Sequence, residues 1–277
     1  GTIRSEATIG GLVRNIGLYH DAYTLRLYCF QTVAAAILYG NYFRAELLRA
    51  TRGALTVLSG IAVFTIYRLY SKAGYLVGGM WLLVWHIAKG KFVRLTAITV
   101  LLAAAGLVMQ DKITATLDTV YSKEVGFMQG QGNSDRLFQG RVGGWKALLA
   151  EFAEKPLYLQ LVGDGSPHTG AHNDFIRALL GTGVIGLILY LILLGVIGMR
   201  CLLRCARDPS PLNILAVMLI SMWLIDAMGL VPGSYPGYQV FVWGFIGLAF
   251  RGVEGLEPTA AGEAPERSEA CETPALA

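Results

Sequence analysis

The run Gly170-Ala171-His172-Asn173-Asp174-Phe175 sets an imidazole, an amide and a carboxylate side by side, just ahead of a long apolar stretch. An imidazole with an unperturbed pKa of about 6.5 is a ready proton acceptor at neutral pH. Asn173 and Asp174 are placed to orient that ring or to bind a sugar hydroxyl. The same residues also read as a helix start, with Asn173 or Asp174 as the cap and His172 at an interface. Basic residues gather on both sides of this run: Arg14, Arg26, Arg136, Arg141, Lys146, His168 and Arg177. A guanidinium is a planar, permanently charged fork that meets phosphate oxygens two at a time. As a group these arginines suit a lipid-linked phosphate or pyrophosphate, while each one alone also reads as a solvated loop charge. Asp226 stands apart, an acid inside an apolar run, where a carboxylate is either functional or paired with an arginine.

Other chemistries lack their residues. There are no paired carboxylates of glycosidase type, no phosphate-cradling Gly-Lys-Ser loop and no serine in a nucleophile's setting. Cys201 and Cys205 lie four apart among arginines without His or Cys partners, so they read as reduced thiols and not as a zinc site. No metal and no cofactor is expected, and no nucleic-acid partner.

The elements that must position these residues are membrane helices. Of 277 residues 54% are hydrophobic and 15% charged, with a mean hydropathy of +0.51, whereas soluble domains carry about 25% charged residues. Seven apolar runs approach the ~20 residues that cross a bilayer core: 27–43, 53–67, 74–88, 95–109, 175–199, 212–231 and 239–250. Lipid offers nothing to unpaired backbone groups, so such runs cross as helices. The fold class expected is all-α, a polytopic bundle of about seven spans with one large loop on the outer side.

Lys and Arg in short connections mark the cytoplasmic side. Arg44, Arg49 and Arg52, then Lys89, Lys91 and Arg94, then Arg200, Arg204 and Arg207 fall in alternate connections; Arg68 and Lys72 run against them. The majority puts residues 1–26, 110–171 and 232–238 outside, which in a bacterium is the periplasm. The organisation expected is an outer segment (1–26), four spans (27–109), the large outer loop (110–171), three spans (172–252) and a disordered cytoplasmic tail (253–277). Within the large loop Gly130–Asn133 and Gly163–Gly170 read as flexible punctuation. Between them Trp145, Leu148, Leu149 and Phe152 recur at helical spacing, which predicts an amphipathic helix over 141–153. The chain starts at Gly1 with no cleavable signal, so a longer parent protein is expected.

Several of these residues form a pattern. Gln139-Gly140-Arg141, Trp145, Pro156, Gly163-Asp164-Gly165, Ala171-His172-Asn173-Asp174-Phe175 and Leu179-Leu180-Gly181-Thr182-Gly183-Val184-Ile185-Gly186 resemble the O-antigen ligase and polysaccharide polymerase superfamily. Thr51-Arg52-Gly53-Ala54 is similar to the element that opens an earlier helix there, and Arg14 ahead of Gly17 sits where an outer arginine is common. The stretch from Pro156 to Gly163 is longer than the tight connection usual in that family.

The resemblance implies a bacterial inner-membrane enzyme of the metal-independent glycosyltransferase class. Such an enzyme takes a glycan from undecaprenyl pyrophosphate and joins it to a hydroxyl of an acceptor glycan or lipid. It implies that Arg14 and Arg141 hold the pyrophosphate, that His172 binds or deprotonates the acceptor, and that Arg136, Trp145, Asn173 and Asp174 line the substrate site, with Arg26 and Asp226 as further candidates. It also implies that leading spans precede those read here. The competing expectation is a transporter or flippase of lipid-linked glycan or a small anion, which calls for inverted repeats and broken helices at mid-membrane; no repeat is visible. A scaffold that only recruits other glycan enzymes would leave Arg141 and His172 dispensable.

Overall fold

A computed structural model describes residues 4–7, 13–17, 22–42, 49–108, 110, 111, 114, 126, 127 and 137–251. The apolar runs fold as helices: α1 Ala22–Tyr42, α2 Arg49–Arg68, α3 Lys72–Ala88, α4 Phe92–Val108, α7 Asp174–Arg207, α8 Pro211–Ala227 and α9 Pro236–Arg251. Two more lie in the large loop, α5 Leu137–Glu154 and the short α6 Leu157–Val162. By length and hydropathy α2 and α7 are able to cross a bilayer; Pro211–Ala227 and Phe92–Leu101 are apolar but shorter. Arg136, Gly130–Asn133, Arg44 and the tail 253–277 lie outside the described residues.

Among the described residues the regular elements are helices except at the start of the chain. Arg4–Ala7 (β1) and Val13–Gly17 (β2) pair as an antiparallel hairpin with an irregularity between Arg4 and Ser5, and β2 adjoins α1. The expectation for residues 1–26 is an outer segment, with no strand named in it. Val13, Asn15 and Gly17 alternate too briefly to stand out as a strand signal.

α8 is the centre of the bundle, in contact with α1, α3, α7 and α9. Its sequence is apolar on every side, and Ile214, Leu215, Leu219 and Ala227 are sealed from solvent. A helix hydrophobic all round must be surrounded. Trp81 on α3 meets it with an indole N–H donated to the Met218 carbonyl at 2.8 Å. The helices run up and down. Arg26 at the start of α1, Ser71 between α2 and α3, and Asp226 at the end of α8 meet at one end. Tyr42 reaches the Leu212 N–H, and Lys89 the Pro209 carbonyl, at the other.

α7 is one helix by hydrogen bonding and two by direction. Gly183 takes φ 68° and ψ −173° inside it, a region open essentially to glycine alone. The carbonyls of Leu180 and Gly181, one turn earlier, accept N–H groups from Gly165 and Asp164: Asp164 on Leu180 at 3.3 Å and Gly165 on Gly181 at 3.0 Å. Gly163, at φ 78° and ψ 177°, lets this strap come so close that a Cβ there would collide with the Gly181 carbonyl. A Cβ on Gly183 would collide in turn with the Leu161 carbonyl on α6. The predicted flexible punctuation at Gly163 is therefore a joint. Residues 184–207 still give about 36 Å of helix, enough to cross a bilayer alone.

Candidate functional site

The site forms where α5, the start of α7 and the turn after α8 converge. Arg141 and Trp145 lie one helical turn apart on α5 and so share a face. The Trp145 indole N–H donates to the Ala171 carbonyl at 2.8 Å, and Arg141 Nη1 donates to the Gly229 carbonyl at 2.5 Å. Asn173 caps α7: its Oδ1 accepts the N–H groups of Phe175 and Ile176, each at 3.0 Å. Its Nδ2 donates to the Met228 carbonyl at 3.2 Å. Arg141 and Asn173 thus grip successive carbonyls of one turn from two sides.

His172 directly precedes Asn173. It ends a 3-10 turn over Thr169–Ala171 with φ 47° and ψ 31°, a left-handed conformation in a residue other than glycine. Such conformations persist where their surroundings over-determine them, and they gather at functional sites. Here Trp145 on Ala171 and the Asn173 cap hold the residues on either side. Partial burial pushes the His172 pKa below its ordinary value, and the charge of Arg141 pushes it further. Both effects favour the neutral ring, the form in which an imidazole accepts a proton.

Asp174 is sealed from solvent and fully engaged. Arg177 Nε donates to one oxygen at 2.8 Å and the Tyr190 hydroxyl to the other at 2.6 Å. Trp223 on α8 donates to the same Tyr190 hydroxyl at 3.0 Å. The contact that Asp174 makes is positional: through Tyr190 and Trp223 it fixes the first turn of α7 to α8.

Asp226 meets Arg26. Arg26 Nη2 lies 2.6 Å from Asp226 Oδ1, with 3% and 1% of the side chains exposed. Ser71 accepts from Arg26 Nη1 at 3.2 Å, and Tyr238 donates to the second carboxylate oxygen at 3.0 Å. The Trp223 ring, 5.4 Å from that of Tyr238, links this pair to the Asp174 group. The sequence does not single out Ser71, Tyr190, Trp223 and Tyr238: Tyr190 and Trp223 are aromatic residues inside apolar runs, and Ser71 and Tyr238 lie in the connections just ahead of them. For the approach loop the anchor is Asp164, which accepts from Lys155 at 2.7 Å, the Ser166 N–H at 2.9 Å and His168 at 2.8 Å. Lys155 foremost, then the Ser166 N–H and His168, hold its carboxyl well below the usual range.

The structure therefore brings Arg141, Trp145, His172 and Asn173 together, with Asp174 beneath them, and gives Arg26 and Asp226 to each other. The backbone of Arg14 lies in β2, and Arg136 is outside the described residues. Among the described residues no three His, Cys, Asp or Glu side chains come together as metal ligands would.

No curated protein and no solved structure matches this chain. A family model described as O-antigen ligase matches residues 54–191. That span, about half of the chain, runs from α2 through the strap at Gly163 and past the break at Gly183, and it contains Arg141, Trp145, His172, Asn173 and Asp174. By this match the chain belongs to the O-antigen ligase family.

Proposed function

We propose that this chain is part of a membrane glycosyltransferase that uses an undecaprenyl-pyrophosphate-linked glycan on the periplasmic face of a bacterial inner membrane. The observation that carries the reading is that Arg141 and Asn173, the residue after His172, grip successive carbonyls of one turn, which brings Arg141 and His172 from two separate segments of the matched region to one helix start. His172 takes the proton of an acceptor hydroxyl, whose oxygen attacks the anomeric carbon. The bond from that carbon to the pyrophosphate breaks, and undecaprenyl pyrophosphate leaves. Fixed positive charge from Arg141, joined by Arg14 and Arg136, meets the charge that develops on the leaving group, so no metal is called for. Trp145 and Asn173 shape the sugar site. The acceptor is a glycan in a polymerase and a lipid or protein in a ligase.

The same reading takes all seven apolar helices as spans, short ones included, through tilt and local mismatch. It puts the His172 end outside and the ends bearing Lys89, Arg200, Arg204 and Arg207 in the cytoplasm, by the positive-inside rule. The large loop 110–171 is then periplasmic, and α5 lies at the membrane surface.

The break in α7 favours a second reading, a transporter or flippase, since broken helices present bare carbonyls to ions. The carbonyls at this break are already taken by Asp164 and Gly165, which supports the enzyme. The test is to express the protein in cells lacking their own copy and to compare the surface glycan of wild type with that of His172→Ala. Single repeats with the ladder lost mean a polymerase. Complete loss of attached glycan, with lipid-linked polymer accumulating, means a ligase. An unchanged profile sinks the transfer role of His172.

A further inference from the structure

At the end of the bundle remote from His172, α7 carries Arg200, Arg204 and Arg207 at positions i, i+4 and i+7, hence on one face. With Leu203 and Phe250 of α9 they line a half-open cleft. Arg204 is fixed in it, donating to the Ala249 carbonyl at 2.6 Å and lying over the Phe250 ring at 5.6 Å. Arg200 and Arg207 make no hydrogen bond or ion pair with the described residues, and both are exposed. No acid lines the cleft, and the neighbouring Asp208 is occupied by the Asn213 amide at 2.8 Å. Charge of one sign around an aromatic wall calls for an anion. Along α7 towards the bundle centre the surface turns wholly apolar: Ile192, Val196, Met199 and Leu202 are all about half exposed.

We infer that this cleft binds the phosphodiester headgroup of an anionic membrane phospholipid, with its acyl chains along the apolar face of α7. The positive-inside rule accounts for arginines at this end, and the helix C-terminus favours cations. Neither accounts for a concave group built round Phe250 and continuous with an apolar stripe. Arginine forks match the oxygens of a phosphodiester, and basic pockets between helices on the cytoplasmic side suit anionic headgroups. A free phosphate would use the charge and leave the stripe idle. The inference rests on the membrane reading above and not on the transfer chemistry, which sits at the opposite end.

The test is native mass spectrometry of the full chain released from nanodiscs of phosphatidylglycerol or of phosphatidylcholine, scoring retained lipid. Wild type should keep phosphatidylglycerol selectively, and Arg200→Gln/Arg207→Gln should keep it roughly thirty-fold less tightly, at about one charge's contribution for each arginine. Neither arginine holds another element of the fold, and circular dichroism checks that the variant stays helical. Equal retention of both lipids, or retention indifferent to the double variant, overturns the proposal. So does displacement by inorganic phosphate, which would mark a free-anion site. The six glutamates after Arg251 supply a third arm: changing them to Gln should leave retention unaltered. A marked rise would make the acidic tail the occupant and overturn the proposal as well. A protein inactive in glycan transfer that still retains phosphatidylglycerol separates failure of the catalytic reading from failure of this one.

Discussion

Arg26 and Asp226, 200 positions apart in the chain, lie 2.6 Å apart in an almost fully buried ion pair. The pair ties the start of α1 to the end of α8, and Ser71 and Tyr238 complete its hydrogen bonds. Taking away one partner strands a buried charge at a cost of about 3–5 kcal/mol, whereas replacing both with apolar side chains is often near neutral. Arg26→Met or Asp226→Leu alone should therefore lower the melting temperature in detergent sharply, and the double variant should recover most of it. If the pair is structural, transfer activity recovers with stability. A stable but inactive double variant would return Arg26 and Asp226 to the list of substrate contacts.

Gly163 and Gly183 each occupy backbone space that the other's segment needs. Alanine at either would strain the backbone by roughly 1–3 kcal/mol before any clash is counted. Gly163→Ala and Gly183→Ala should both open the strap, and the loop from Asp164 to His172 should loosen with it. Hydrogen exchange at Asp164 and Gly165 is the direct readout: faster exchange with α8 still protected is expected. Unchanged exchange in both variants would rule the joint out.

Much of this was legible before the structure. The seven helices follow the apolar runs, because backbone bonding and burial both favour one solution there. α5 follows the spacing of Trp145, Leu148, Leu149 and Phe152, and the Asn173 cap follows from its side chain. The break in α7 was not legible as such: Gly181-Thr182-Gly183 reads as small residues in a span, and only the strap's N–H groups give the break its reason. Nor were the partners of the buried acids. Asp226 announced a partner, but which arginine depends on how α1 returns to α8, and Tyr190 and Trp223 are ordinary span residues until Asp174 lies beside them.

Arg141 donates from Nη1 to the Gly229 carbonyl, and its guanidinium is a rigid, planar fork of N–H donors. Lysine at this position keeps one charge and loses the two-pronged geometry. Arg141→Lys should cost about a hundredfold or more in transfer rate, the scale of losing one fixed donor at a site of developing charge. Acceptor KM should be little changed, since the loss falls on the leaving group. Near-normal turnover would remove the pyrophosphate role.

His172 is the group whose titration the site controls. Burial and Arg141 lower its pKa below the ordinary 6.5, so the unfolded chain binds this proton at a higher pH than the folded one. Stability from this residue is complete above pH 6.5 and declines as pH falls from there through the lowered pKa. With His172 as the proton acceptor, transfer needs the neutral ring, so the acid limb of the rate profile should lie below pH 6.5. Arg141→Gln removes the neighbouring cation and should move the limb of its residual activity up towards 6.5, although burial keeps it from arriving fully. His172→Asn separates chemistry from fold, because asparagine tolerates the left-handed backbone: transfer should vanish while the melting temperature holds. An acid limb that stays in place when Arg141 is neutralised would mean that another group takes the proton.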